Sequence, residues 1–367
     1  MRTVRLIYFM AGIGISAWAI TVPFTKIRFG LNDAVLGFIL LAPGVGGILA
    51  MPLAGLGVQK LGSRTMLGLA GTVFGLTLPL LSVAPSPAAF TVLLFIFGAA
   101  FGMIDIAMNA QAVATEARSG GLLMSSFHAL YSFGTLAVAI ATSALLKLGA
   151  NNAACAMLCG LAVFAILSQR GRLQPKAEDP AAEGPPFAWP NRATTVLGLA
   201  CFACFLTESA VTDWSTIFLR FSRGIGISAA FLGYAGFALA MAVSRLAGDH
   251  AATRLGKPTV MRLGSLLAGG GMLLTVMTPY ETTDVIGFAL VGLGVGNIAP
   301  LIFSAASRIP GMSPNASVPA VMTLGYAGFL LGPVLIGVIA NATSLSTALA
   351  LDAALVALLC LAAPAVK

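Results

Sequence analysis

Twelve apolar runs, each close to the roughly 20 residues that cross a bilayer as an α-helix, fill nearly all of this 367-residue chain. Six precede its middle, at 5–26, 34–57, 65–84, 88–113, 122–147 and 151–169. Six follow, at 194–219, 228–250, 259–279, 284–307, 317–340 and 345–364. In lipid every backbone N–H and C=O must find its partner within the protein, so runs of this length dictate helices. Composition agrees, with 58% hydrophobic and only 9% charged residues, where a soluble domain carries about 25% charged. The first run, Leu6 to Phe24, is too long for a signal-peptide core and lacks a small-x-small exit, so it reads as a span.

The two sets of six echo each other. Gln59-Lys60-Leu61-Gly62-Ser63-Arg64 and Thr253-Arg254-Leu255-Gly256-Lys257 stand 194 positions apart, and the same offset carries Gly30 onto Gly224, Gly98 onto Gly292, Gly102 onto Gly296 and Gly134 onto Gly328. A fixed offset of half the chain marks an internal duplication. The expectation is an all-α membrane protein of twelve transmembrane helices in two six-helix lobes, 1–170 and 193–367, related by a pseudo-two-fold along the membrane normal. The one polar, proline-rich stretch, 171–192, is the expected cytoplasmic linker. With both termini inside, 15 of the 20 Lys and Arg residues fall on the cytoplasmic side, leaving Lys26, Arg28, Lys147, Arg220 and Arg223 outside. That split follows the positive-inside rule, against which Lys26 and Arg28 dissent locally.

Several functions are disfavoured. The net charge of +8 is spread over short loops rather than gathered in a stripe, which argues against nucleic acid. Cys201-x-x-Cys204 has no second pair and no nearby histidine; it reads as packing, and no metal or cofactor is expected. Without Gly-x-x-x-x-Gly-Lys-Ser/Thr, ATP is not the expected energy source. Without Gly-x-Ser-x-Gly or His-Glu-x-x-His, neither is enzymatic hydrolysis, and no catalytic residue is assigned.

Gly55-x-x-x-Gln59-Lys60-x-Gly62-x-Arg64, between the second and third runs, resembles the loop signature of the major facilitator superfamily, Gly-x-x-x-Asp-Arg-x-Gly-Arg-Arg. Gln59 replaces its acid and Ser63 a base, whereas the second copy has Arg245 and Asp249 nearby, four apart. Asp105-Ile-Ala-Met-Asn109, Ser126-Phe-His128-Ala-Leu-Tyr-Ser132 and Glu208-Ser-Ala-Val-Thr-Asp213-Trp214-Ser215 are similar to its YbjJ-like bacterial subgroup near the fucose permeases. The resemblance implies a multi-pass protein of the bacterial cytoplasmic (inner) membrane, working as a monomer on a small-molecule substrate. The acid that the fucose-permease arrangement expects in the first span is missing.

Ionisable groups inside spans are costly and point to function. Gly98, Gly102, Asp105, Asn109 and Ala112 recur at helical spacing in span four; Ser125, His128, Ser132, Thr135, Ala139 and Thr142 do so in span five. Cys201, Cys204, Glu208, Thr212 and Ser215 nearly do so in span seven. Packing explains the small residues. Asp105, His128 and Glu208 must face protein or water, either lining a cavity or pairing with a neighbour. Glu208, alone near the midplane, is the first expected proton-coupling residue, because desolvation disfavours the charged carboxylate. Asp105 and His128, both in cytoplasmic halves and close enough to meet, are the second.

Asn109, Ser132, Asn297, Trp18, Asp213, Trp214 and Tyr326 are the expected substrate-binding residues. Trp214 serves equally as an interface anchor, Trp18 as core filling, and Asp213 as a partner of Arg220 or Arg223. Tyr326 lies in a glycine-rich run that reads as a closely packed helix or hinge, while Asp352 has no evident partner. Lys60, Arg64, Arg245, Asp249 and Arg254 are expected either to gate the cytoplasmic side or only to set topology. The expected function is secondary, proton-coupled transport of a small polar organic solute, sugar-like in class, by alternating access. The alternatives are a drug or metabolite exporter of the same fold and a non-transporting membrane sensor.

Overall fold

The computed structural model describes residues 1–119, 123–176, 191–310, 312 and 314–366. The side chains of Ala117, Ser125, Asp249 and residues 314–316 lie outside that description, so the gating expectation for Asp249 has no structural counterpart. The chain divides into two compact units, Met1–Ala181 and Ala182–Lys367. Among the described residues, twelve helical segments are long and apolar enough to cross a membrane.

The first unit holds α1 (Arg2–Phe29), α2 (Asp33–Leu61), α3 (Ser63–Val83), α4 (Pro87–Ser119), α5 (Met124–Lys147) and α6 (Asn152–Leu167), the last extended by a 3-10 turn, Ser168–Arg172. In the second, α7 (Arg192–Ile217) runs through a π-turn, Phe218–Ser222, and α8 (Ile227–Leu255) and α9 (Lys257–Met277) follow. The next span is broken into α10 (Glu281–Val295) and α11 (Ile298–Ala306). Then come α12 (Pro314–Ala342) and α13 (Leu345–Leu358), whose 3-10 continuation is Leu359–Val366.

Helix starts are written in the sequence. Asn32, Asn151, Asn191 and Ser344 each accept the N–H of the residue three further on, closing a donor that the first turn leaves free. A single glycine joins α2 to α3 and another joins α8 to α9. Gly62 (φ 86°, ψ 150°) and Gly256 (φ 81°, ψ 144°) hold nearly the same backbone conformation, one that L side chains rarely adopt. The repeat persists in the packing. In the first unit α2 packs on α4, α1 on α5, and α3 on α4 and α6; in the second α8 packs on α10, α7 on α12, and α9 on α10 and α13.

Close backbone approach explains the matched glycines of the spans. A Cβ on Gly98 would strike the main chain of Pro43, and one on Gly292 the carbonyl of Phe237; Pro43 and Phe237 are themselves 194 apart. Gly134 sits against the Phe9 carbonyl and Gly328 against that of Phe202. Without a hydrophobic drive between helices in lipid, such contact is what holds them together. Outward-facing positions are apolar, as at Leu53 (61% exposed) and Phe38 (58%), which suits hydrocarbon rather than water.

Candidate functional site

Each unit holds a cluster of polar side chains contributed by its spans. In the first, α1 and α7's counterpart role is clear from burial: α1 is the most buried span of its unit, as α7 is of the second. Tyr8 of α1 is fully buried and donates its hydroxyl to Asn109 Oδ1 at 2.7 Å. Asn109 Nδ2 donates to the Asp105 carbonyl at 2.9 Å and to its carboxylate at 3.1 Å. On the other side the Tyr8 ring stacks on Phe127 and meets His128 edge-on, 5.2 Å between centroids. Asp105 and His128 are therefore joined through Asn109 and Tyr8. Ser132 lies one turn on, its hydroxyl donating to the His128 carbonyl at 3.3 Å. Trp18 is buried against Phe97, which supports the core-filling alternative.

Tyr8 was not singled out by sequence reasoning. Its only signal was a lone tyrosine in an apolar run, and its partner lies 101 residues away.

In the second unit the expectation of a lone glutamate is corrected. Arg245 of α8 brings its guanidinium to 3.5 Å from Glu208 Oε1, with the two side chains 20% and 17% exposed. Arg245 stands about three turns before the end of α8, facing α7. Three residues before Glu208, on the same side of α7, Phe205 packs against Phe329 (4.6 Å), Tyr326 (5.6 Å) and Phe303 (6.3 Å). The cluster is therefore an ion pair about one turn along α7 from a group of aromatic rings.

Three further acids of the second unit have partners among the described residues. Asp213 accepts from Ser209 one turn earlier at 2.9 Å, not from Arg220 or Arg223. Arg223 instead lies 3.3 Å from the buried Asp284 and donates to the carbonyls of Thr275 and Thr278 at the end of α9. In the first unit Arg28, one position off the 194-residue register, donates to the Ser82 carbonyl at the end of α3. Asp352 is hydrogen-bonded to Thr207 at 2.8 Å, a partner that the sequence did not reveal. Trp214 is fully buried with its indole N–H unpaired in the structure, so it is not an interface anchor.

Asn297 forms the break between α10 and α11. Its Nδ2 donates to the Ser244 carbonyl at 2.6 Å and hydroxyl at 2.9 Å, so its amide hydrogens tie the broken span to α8. Cys201 and Cys204 are buried free thiols, Cys201 lying beneath Gly325 of α12. Lys60, Arg64 and Arg254 are exposed at the two single-glycine turns. Among the described residues no group of three or more His, Cys, Asp or Glu is arranged to hold a metal ion.

An all-helical chain with twelve spans, a repeated glycine turn and a polar cluster in each half has the construction of a secondary transporter. Residues 5–327 match the Major Facilitator Superfamily, and the chain belongs to that family. It is 43% identical over 344 residues to an uncharacterized MFS-type transporter of Yersinia pestis, covering 94% of this chain and 90% of that one. Its fold is similar to that of a variant of the nucleoside transporter NupG, with a TM-score of 0.79 at 14% identity over 99% of this chain and 98% of that one. It is similar also to the E. coli fucose:proton symporter FucP, with a TM-score of 0.66 at 16% identity over 100% and 98%.

Proposed function

We propose that this transporter carries a small polar organic solute with a ring-shaped or flat face, driven by protons, through alternating access. The observation that carries this reading is the Glu208–Arg245 pair, about one turn along α7 from Phe205, on which the Tyr326 and Phe329 rings pack. Protonating Glu208 removes half of the pair and frees Arg245 to bond the solute's polar groups, while the rings stack on its face. Release reverses the exchange: the proton leaves, and the ion pair re-forms. A nucleoside transporter and a fucose:proton symporter among its structural neighbours support a solute of that shape. In the first unit, Asp105, Asn109, Tyr8 and His128 form the second group able to bond a solute or hold a proton. The protein works as a monomer in a bacterial cytoplasmic membrane, with both termini inside.

A thermal-shift screen of the purified protein against sugars, nucleosides, organic acids, amino acids and cationic drugs identifies the solute. Uptake of the hit into proteoliposomes under an imposed pH gradient then tests coupling. Gradient-driven accumulation is expected. Flux indifferent to the gradient would mean facilitated diffusion, binding without flux a sensor, and stabilisation by cationic drugs alone an exporter.

A further inference from the structure

Asp352, on the last span, is a carboxyl group that neither polar cluster uses, and it is only 3% exposed. Leu345, Ala348, Leu349, Ala353 and Val356, around it on α13, are apolar and buried. Its Oδ1 lies 2.8 Å from the hydroxyl of Thr207 on α7, a residue with no exposed surface. Its Oδ2 is buried without a hydrogen-bond partner.

Such surroundings do not suit a charge. Among the described residues, Asp284 and Asp352 are the acids that keep a buried oxygen without a hydrogen bond, and Asp284 has the Arg223 guanidinium at 3.3 Å. No cation is paired with Asp352. Helix α13 packs on α7, α9 and α12, on the π-turn after α7 and on its own extension. On α7, Glu208 is paired with Arg245, and Asp213 accepts from Ser209. On α9, Lys257 donates to Ser304 and Arg262 is exposed, while Arg220 of the π-turn donates to the Ile225 carbonyl. The other titratable groups on these elements are Tyr326, which packs on Phe205, and the free thiols Cys201, Cys204 and Cys360. A carboxylate in a membrane domain with a dry, bare oxygen and no cation is costly; the carbonyl of a neutral acid in the same place costs far less.

Counting hydrogens leads to the same state. A threonine hydroxyl has one hydrogen to donate and lone pairs with which to accept. The Thr207 hydroxyl lies 3.1 Å from the Ala203 carbonyl one turn earlier, as well as 2.8 Å from Asp352. The carbonyl can only accept, so Thr207 gives its hydrogen to Ala203 when both bonds are made. The hydrogen between Thr207 and Asp352 then belongs to Asp352.

We propose that Asp352 is a proton-binding site: a neutral carboxylic acid whose Oδ1–H donates to Thr207 while Oδ2 is its bare carbonyl. The bound proton ties α13 to α7 inside the second unit. This site is separate from Glu208 and stands whether or not Glu208 carries the coupling proton.

The test is infrared spectroscopy of the full chain, purified in detergent at neutral pH. A protonated carboxyl absorbs in the C=O stretching region above the amide bands, where an ionised one does not. Subtracting the spectrum of Asp352→Asn from that of the unaltered protein is expected to leave one such band, and Glu208→Gln should keep it. Thr207→Val removes the acceptor without changing any charge, so the band should persist and move to higher frequency as the O–H is released. That variant reads the same bond if Asp352→Asn does not fold. No band in the difference spectrum, or its loss in Glu208→Gln instead, would make Asp352 ionised and overturn the site. A band that Thr207→Val leaves unmoved would overturn the donation to Thr207, and the proposal with it.

Discussion

Glu208 and Arg245 show how much hangs on single residues in a chain with so few charges. An ion pair inside a membrane domain is costly to break from one side, because the remaining charge stays behind without a partner. Glu208→Gln imitates the protonated state and keeps a hydrogen-bonding group next to Arg245. It should retain solute binding and exchange in proteoliposomes while losing accumulation against a gradient. Normal accumulation with normal pH dependence would make Glu208 structural. Arg245→Leu leaves Glu208 unpaired and should weaken solute binding as well, so the two variants differ in a binding assay. Asn109 supplies a parallel case in the first unit. Tyr8→Phe strips the part-buried Asn109 oxygen of its 2.7 Å hydrogen bond. The expected cost is about 1–3 kcal/mol, read as a lower melting temperature in detergent. An unchanged melting temperature would mean that water or another donor replaces the hydroxyl.

At the scale of elements, the sequence revealed most where backbone geometry leaves no choice. The spans and the repeated loop segments around Gly62 and Gly256 were legible, because they depend on length, composition and a fixed offset; the asparagine and serine caps, which depend on local hydrogen bonding, were not read from the sequence. Partners across helices were not: Thr207 and Asp352 are 145 residues apart, and nothing in either run indicates that they meet. Nor did helical spacing distinguish an acid facing another helix from one satisfied within its own, as Asp213 is by Ser209. The π-turn after α7 carries Arg223 round to the carbonyls ending α9, a connection that a four-residue spacing rule does not foresee. The turns make a paired prediction. Gly62→Ala and Gly256→Ala both force a side chain into a conformation worth roughly 1–3 kcal/mol of strain. The first should cost more, because the Lys176 side chain packs directly over Gly62, whereas nothing lies within 4 Å of a Cβ at Gly256. Melting curves of the two variants in one detergent measure the difference, and equal losses would count against the packing term.

For the whole molecule, the repeat carries over from turn glycines to helix pairings, and each unit has an arginine near its matched glycine, Arg28 or Arg223, that bonds the end of α3 or α9. Six antiparallel spans per unit bring each unit's first and last helical residues to the same side of the bilayer. Within the first unit, Arg118 and Lys147 then stand at opposite ends, because α4 ends near the first and α5 at the second. The charge count makes the Arg118 end cytoplasmic, since Lys and Arg are retained on the side from which the chain is inserted. Lys26, the local dissenter, bears on this directly: it is paired with Asp33 across the turn from α1 to α2, so its charge is offset outside the membrane. Orientation is therefore expected to follow the larger set of cations. In a background with the five native cysteines replaced, Lys147→Cys should react in intact cells with a membrane-impermeant maleimide. Arg118→Cys should react only after the cells are opened. The reverse pattern would put the termini outside and invert the direction in which the Glu208 proton is loaded.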